Sequence, residues 1–298
     1  GVCEDDFIES GLQLVDTASL TKEITDRLIV GNTNEPFTIG IAGYGTGKSH
    51  LALTLATLYS KPNSEVTQKI LNNLTLADST IGRYVADSVA SLQGQPFLVV
   101  ALNGMEDFDL SSELSRQLLG VLKANSIDTS VLQNLRPRFK SAANFVRSFH
   151  TSLEEDFQKE FGVGYDLADI INGLDTQDEG VFEKVNRIYA QKMGSLIPAS
   201  GQESLQDFIR VVSQRYCGAG KPFAGLLIVF DEFGRYIEFA VQKPHIAGPA
   251  ALQQLFEAVQ ENADNVFLLA FVQTELKAYA SRVMPERREE IDRYLTRF

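Results

Sequence analysis

The sequence contains the stretch FTIGIAGYGTGKS at residues 37–49. Its first part, residues 37–42, is a short apolar run, which is typical of a buried strand. The next part has glycine at every second position, where the backbone can turn sharply because glycine has no Cβ atom. Residues 49–60 then have a helical pattern that ends ahead of Pro62. We therefore predict a strand, a glycine-rich loop and a helix in this order.

The loop and the residues after it have the composition of a phosphate-binding site. They fit the pattern G-x-x-x-x-G-K-[ST], with Ala42 at the first position, where the broader pattern accepts alanine. The loop N–H groups and the positive end of the following helix would form a nest for the β- and γ-phosphates. Lys48 would bridge these phosphates, and Ser49 would give a hydroxyl ligand to Mg²⁺. The sequence thus predicts ATP and Mg²⁺ as ligands; the alternative is a glycine-rich turn that arose by chance.

The predicted nucleotide-binding residues include two with a second interpretation. Tyr44 could touch the nucleotide or could be an exposed loop side chain. His50 lies on the first helical turn, where a packed or capping histidine is the alternative to a ligand contact. The full predicted set is Gly43, Tyr44, Gly45, Thr46, Gly47, Lys48, Ser49 and His50.

Another apolar run, LLIVFDE at residues 226–232, ends in adjacent carboxylates. Open α/β sheets bind ligands beyond the carboxyl ends of their strands, so both acids should face the glycine-rich loop. Asp231 then suits the shell of the Mg²⁺ ion, and Glu232 suits polarising the water that attacks the γ-phosphorus. The alternative is an acidic pair that merely caps the next helix.

Two further predictions complete the catalytic set. Gln273, or Thr274 as second choice, follows the last apolar run and could hydrogen-bond the attacking water; alternatively both start the next helix. Arg297 is a candidate arginine finger acting across a subunit boundary, and Arg235 could instead sense nucleotide within its own chain. Arg282, Arg287, Arg288 and Arg293 lie nearby in the sequence, and the cluster ERREE at 286–290 is more simply a solvated helical face.

The four apolar runs alternate with helical patterns, which indicates an α/β fold with a parallel sheet flanked by helices. The runs are residues 37–42, 97–102, 226–230 and Val266–Val272. A long helical segment separates the second run from the third, and it either packs on the sheet or contacts a partner or nucleic acid. We predict an N-terminal helix and first core part at 1–104, a helical insertion at 105–221, and a second core part at 222–298.

Composition narrows the class of protein. The 298 residues are 44% hydrophobic and carry a net charge of −12, which argues against a dedicated nucleic-acid coat and gives no compositional support for DNA binding. No apolar run approaches the roughly 18 residues of a bilayer span, so we expect no membrane insertion. The sequence shows no charged-then-apolar leader. Two cysteines cannot build a disulfide framework, which favours a reducing, cytoplasmic location.

The motifs GYGTGKSHL at 43–51 and FDEFG at 230–234 resemble the AAA+ and origin-recognition-like branch of P-loop ATPases. The residues in and around these motifs are similar to those of the large ATPases of bacterial antiphage systems of the BREX type. The resemblance covers residues 20–298, with the helical insertion as a departure. It implies the strand order 5-1-4-3-2, a catalytic glutamate after the second motif and ring-like assembly. Arg297-Phe298 resembles the Arg-Phe that carries the finger, and the usual helical lid has no counterpart up to residue 298.

We therefore expect an ATP-binding and hydrolysing AAA+-like motor or switch module. It would be part of a homo-oligomer or a larger defence complex and would act on DNA or on a protein complex. The alternative is a nucleotide-gated binding or scaffold module with little turnover. A small-molecule kinase is a third class, but no signature for a second substrate is present, and the Asp-Glu pair fits water activation better.

Overall fold

The computed structural model describes residues 16–30, 36–43, 45–198, 204–248, 250–274 and 278–279. It is an α/β structure with one four-stranded, all-parallel sheet flanked by helices. Each strand lies within one residue of its prediction at both ends, and the α/β class is confirmed. The strands are β1 (Phe37–Ile41), β2 (Leu98–Asn103), β3 (Leu226–Asp231) and β4 (Val266–Val272).

Helices occupy most of the remaining described chain. Before β2 they are α1 (Thr17–Thr25), a π-helical turn (Asp26–Val30), α2 (Lys48–Ser60), α3 (Glu65–Ala77) and α4 (Ser79–Ser91). Between β2 and β3 they are α5 (Leu110–Ala124), α6 (Ser130–Gln133), α7 (Pro137–Phe149), a 3-10 turn (His150–Leu153), α8 (Glu154–Phe161), α9 (Leu167–Asp175), α10 (Glu179–Met193) and α11 (Leu205–Tyr216). After β3 they are α12 (Phe233–Gln242), α13 (Pro244–Ala247) and α14 (Ala251–Glu261).

The strand order is β1-β4-β3-β2, so β4 and β3 are the central strands. Both are continuously buried, apart from Asp231 at the end of β3, as expected for parallel strands covered on both faces. This order is compatible with the last four positions, 1-4-3-2, of the order 5-1-4-3-2, and the described residues contain no fifth strand. Because all strands are parallel, their carboxyl ends lie at one edge. With neighbouring strands about 4.8 Å apart, the ends of β1 and β3 are about 10 Å apart, with β4 between them.

The two faces of the sheet have separate cores because successive strand side chains point to opposite faces. In β3, for example, Ile228 and Phe230 belong to one core, and Leu227 and Val229 belong to the other. The first core is covered by α5, α11, α12 and α14, and the second by α1, α2, α3 and α4.

The predicted insertion at 105–221 does not behave as one unit. Its first and last long helices, α5 and α11, contribute buried residues to the sheet's own core. Only the middle part, residues 137–197, encloses a separate core, which includes Phe145, Phe157 and Ile188. We call this middle part the helical unit. The periodicity that predicted these helices shows which face is apolar, but it does not show which neighbour that face meets.

Within the part of the chain that the structure describes, no helix is long and apolar enough to span a bilayer.

Candidate functional site

The glycine-rich loop folds tightly between β1 and α2. Gly45 and Gly47 have φ values of +77° and +90°, a region that L side chains rarely adopt. A Cβ atom at either glycine would meet nothing within 4 Å, so the backbone conformation, and not lack of space, requires glycine here. The Gly43 carbonyl accepts hydrogen bonds from Thr46 Oγ1 at 2.7 Å and from Lys48 Nζ at 2.9 Å. These two bonds hold the side chains of Thr46 and Lys48 close to the start of the loop.

Lys48 is 8% exposed, although lysine is seldom buried in proteins. Its ammonium has three N–H donors, so the bond to the Gly43 carbonyl uses one of them. Helix α2 begins at Lys48, and within the described chain no side chain caps its first turn. The first-turn N–H groups and the helix dipole therefore give this end a positive potential.

The other loop predictions have mixed outcomes. Ser49 and His50 are both exposed on the first turn of α2, so the interpretation of His50 as a packed histidine is wrong. The start of the loop is fixed to the sheet, because the Ala42 N–H donates to the Val272 carbonyl of β4 at 3.1 Å. Tyr44 lies outside the described residues.

The acidic pair forms a sharp turn between β3 and α12. Asp231 ends the strand, and its Oδ1 accepts a hydrogen bond from the Glu232 N–H at 3.0 Å. Glu232 has φ +52° and ψ +37°, a left-handed conformation that costs a non-glycine residue about 1 kcal/mol or more. Glu232 occupies the N-cap position of α12, yet its carboxylate makes no capping bond. The alternative of an ordinary helix cap is therefore wrong for this side chain.

The Glu232 carboxylate is held by Gln273 instead. Gln273 Nε2 donates to both carboxylate oxygens, at 3.0 Å and 2.9 Å. Gln273 follows β4, the strand that lies between the glycine-rich loop and the acidic pair. It forms a bend together with Thr274, so the alternative in which both residues start a helix is wrong. The structure thus brings together the first-choice polar residue and the predicted catalytic glutamate.

Thr274 differs from Gln273 in its surroundings. Its Oγ1 atom is buried and has no hydrogen-bond partner within the described residues.

Three of the groups predicted from sequence follow three adjacent strands: Lys48 beyond β1, Gln273 beyond β4 and Glu232 beyond β3.

Gly104, which the sequence patterns did not single out, supports the acidic pair from β2. Its N–H donates to the Asp231 carbonyl at 2.9 Å. A Cβ atom here would lie 2.3 Å from the Glu232 carbonyl oxygen, closer than any real contact. The available signal was a glycine directly after an apolar strand, at the same edge of the sheet.

An aromatic cluster lies beside this turn. The Phe108 ring stacks on Tyr236 with centroids 4.6 Å apart, and both rings contact Phe230 of β3. The Tyr236 hydroxyl donates to the Phe108 carbonyl at 2.9 Å. Burial raises the pKa of Tyr236 well above its usual value, so the hydroxyl stays protonated and keeps this bond. The cluster anchors the start of α12, which Glu232 precedes.

Tyr279 is a second residue that sequence reasoning missed. It is buried, and its hydroxyl accepts a hydrogen bond from the Gln273 N–H at 3.1 Å. No motif pointed to it, because its contact with Gly234 of α12 joins residues far apart in the chain.

Several positively charged candidates are not part of the described site. Arg297 lies outside the described residues, as do Arg282, Arg287, Arg288 and Arg293. Arg235 is exposed on the first turn of α12. No group of three or more His, Cys, Asp or Glu side chains that could hold a metal ion occurs in the described ranges. Asp231 and the Ser49 hydroxyl remain as oxygen ligands of the kind that Mg²⁺ prefers.

Comparison of the chain with protein-family models, with curated proteins and with solved structures finds no match. What can be said about function therefore comes from the contacts of this chain's own residues.

Proposed function

We propose that the chain is an ATP-binding and hydrolysing P-loop module of the AAA+ type. One observation carries the proposal: the Glu232 carboxylate is held by Gln273, whose strand separates Glu232 from the glycine-rich loop. Such an arrangement suits a phosphate group lying between a cationic nest and a general base.

The loop fits a polyphosphate anion. Gly45 and Gly47 turn the backbone through conformations that L side chains rarely adopt, as a nest of N–H groups requires. Lys48 would add a positive charge from a buried position, where its attraction to phosphate is less screened than at the surface. The start of α2 would contribute its N–H groups and dipole.

The acidic edge fits hydrolysis. The Ser49 hydroxyl and the Asp231 carboxylate would hold Mg²⁺, which when bound neutralises phosphate charge. Glu232 would accept the proton of a water molecule, and Gln273 would keep the carboxylate aimed at it. Asp231 would stay close to Glu232 through the bond between Oδ1 and the Glu232 N–H.

The proposed partners rest on the resemblance of the motifs. They are a homo-oligomer or a larger bacterial defence complex of the BREX type in the cytoplasm. The motor would act on DNA or on a protein complex. In such an oligomer, Arg297 of one subunit would reach the phosphates bound by its neighbour.

A nucleotide-gated module with little turnover is the second candidate. It is favoured by the fact that both carboxylate oxygens of Glu232 already accept hydrogen bonds from Gln273. If those bonds turned the carboxylate away from the attacking water while nucleotide is bound, Glu232 would not accept its proton, and ATP would act mainly as a switch.

Replacing Glu232 with glutamine tests the proposal. We expect Glu232→Gln to keep ATP affinity within about threefold and to lower turnover at least 100-fold, since general base catalysis contributes about 10²–10⁴. Turnover would be measured by phosphate release with Mg²⁺, with and without DNA, and affinity by calorimetric titration. Glu183→Gln, at an exposed position of α10, is the matched control and should change neither quantity.

The outcomes separate the candidates. Undiminished turnover in Glu232→Gln would remove the glutamate from its role. ATP binding without measurable turnover in the unmodified chain would favour the switch. Absence of ATP binding would contradict both.

A further inference from the structure

Tyr279 is wedged between the two elements that carry Gln273 and Glu232. It is 3% exposed, and its hydroxyl accepts the hydrogen bond from the Gln273 N–H. On its other side the ring lies against Gly234 of α12. A Cβ atom on Gly234 would lie 2.1 Å from Tyr279 Cζ and 2.3 Å from Cε2. Only glycine at position 234 lets the ring come so close.

Tyr279 and Glu232 are connected by two routes, one through Gln273 and one through Gly234. Gln273 is fixed by Tyr279 at its main chain and bonds Glu232 through its side chain. Glu232 leads directly into the first turn of α12, where Gly234 meets the same tyrosine ring. We propose that Tyr279 is a positioning residue that aligns Gln273, and through it the Glu232 carboxylate, for hydrolysis. This inference rests on the proposed ATPase function.

The physical reason is the length of the glutamine side chain. Its several rotatable bonds cost entropy to hold, so an amide aimed at both carboxylate oxygens needs a main chain that does not move. The hydrogen bond from the Gln273 N–H supplies that restraint at a partly buried position. A shift of about 1 Å in a positioned group can lower a rate by about 100-fold. Tyr279 would thus affect the chemical step without touching the nucleotide.

A matched pair of tyrosine variants tests this. Tyr279→Phe keeps the ring on Gly234 and removes only the hydroxyl. Tyr216→Phe is the control, because Tyr216 is also 3% exposed and its hydroxyl also bonds a main-chain group, the Asp128 carbonyl at 2.8 Å. We expect Tyr279→Phe to lower kcat about tenfold with KM for ATP and calorimetric affinity unchanged within twofold. Tyr216→Phe should change none of these.

A second variant acts on the other side of the ring. Gly234→Ala keeps the hydroxyl but forces the ring away, and it should lower kcat at least as much as Tyr279→Phe. Its control is Gly120→Ala in α5, where an added Cβ would meet nothing within 4 Å. Thermal unfolding of each variant verifies that rates are compared between folded proteins. Amide exchange of Gln273 should be faster in Tyr279→Phe than in the unmodified chain.

Equal kcat in Tyr279→Phe and Tyr216→Phe, with the unmodified chain active, would overturn the positioning role and leave the ATPase intact. A parallel loss of kcat and ATP affinity in Tyr279→Phe would also overturn it, because that is the signature of a merely structural residue. An unmodified chain without turnover would overturn the proposed hydrolysis itself, and this inference with it.

Discussion

The carboxyl edge of the sheet and the helical unit at 137–197 use polar residues in different ways. At the edge, a carboxylate is bonded by a neutral amide, as Glu232 is by Gln273. In the helical unit, polar side chains cap their own helix or form ion pairs that join neighbouring helices. Asp166 and Asp178 cap α9 and α10, and Arg187 pairs with Glu160. The edge thus holds a carboxylate with a neutral donor, which suits the role of base proposed for Glu232, whereas the helical unit pairs opposite charges.

Backbone with positive φ occurs in both regions. The turns at the edge place Gly47 and Glu232 in left-handed conformations next to the candidate groups. In the helical unit, left-handed backbone occurs at Gly194, the C-cap of α10, and a positive φ of +60° occurs at the buried Gln177. Strained non-glycine backbone therefore does not by itself mark a functional site in this chain.

One ion pair of the helical unit is partly buried at both side chains and lies next to the sheet's covering helices. Arg138 donates to both oxygens of Glu179, at 2.6 Å and 2.9 Å. Ser112 of α5 donates to the same carboxylate at 3.4 Å. Burial raises the pKa of Glu179 although Arg138 and Arg136 act in the opposite direction. This contact joins the helical unit to the part of the chain that packs on the sheet.

The largest effect is expected at Lys48. Lys48→Ala removes the buried ammonium from the loop, and we expect ATP affinity in calorimetric titration to fall by at least about 100-fold, or about 3 kcal/mol. Lys140→Ala on the exposed side of α7 is the control and should bind ATP normally. Unchanged ATP affinity in Lys48→Ala would contradict the proposed phosphate site at the carboxyl edge of the sheet, and with it the comparison with the helical unit.

A smaller effect is expected at Gly104. In Gly104→Ala the new Cβ would collide with the Glu232 carbonyl, so β2 and the acidic turn must separate. We expect kcat for phosphate release to fall about 10- to 100-fold, with ATP affinity little changed, because the loop beyond β1 is untouched. In Gly120→Ala turnover should be unchanged, and the helix should gain up to about 1 kcal/mol. Full activity in Gly104→Ala would show that the support from β2 is dispensable.

The smallest effect on activity is expected at Glu179. Glu179→Ala leaves the partly buried Arg138 without its carboxylate, and we expect a loss of about 2 kcal/mol in the free energy of unfolding, reduced from the fully buried case by partial exposure. Glu65→Ala breaks the exposed pair with Lys69 and should cost less than about 0.5 kcal/mol. Urea unfolding measures both. At urea concentrations below the unfolding transition, ATP turnover should be normal in both variants. A loss of turnover in Glu179→Ala would show that the helical unit contributes to the activity.

The sequence by itself determined the strands, the glycine-rich loop and the acidic turn, because each depends on neighbours within a few residues. Continuous apolar runs mark buried strands, and the glycine spacing marks a loop that needs left-handed backbone. It also singled out Gln273, because strand ends in a parallel sheet share one edge. Its prediction of Arg297 as a finger stays a prediction.

Only the tertiary structure decided which groups touch. The order β1-β4-β3-β2 places Gln273 between the loop and Glu232, and packing brings Gly104 and Tyr279 against the acidic turn. It also divided the predicted insertion between the sheet's core and a separate helical unit. The physical reason is that hydrophobic periodicity is a local property, whereas contacts between residues far apart in the chain depend on how whole elements pack.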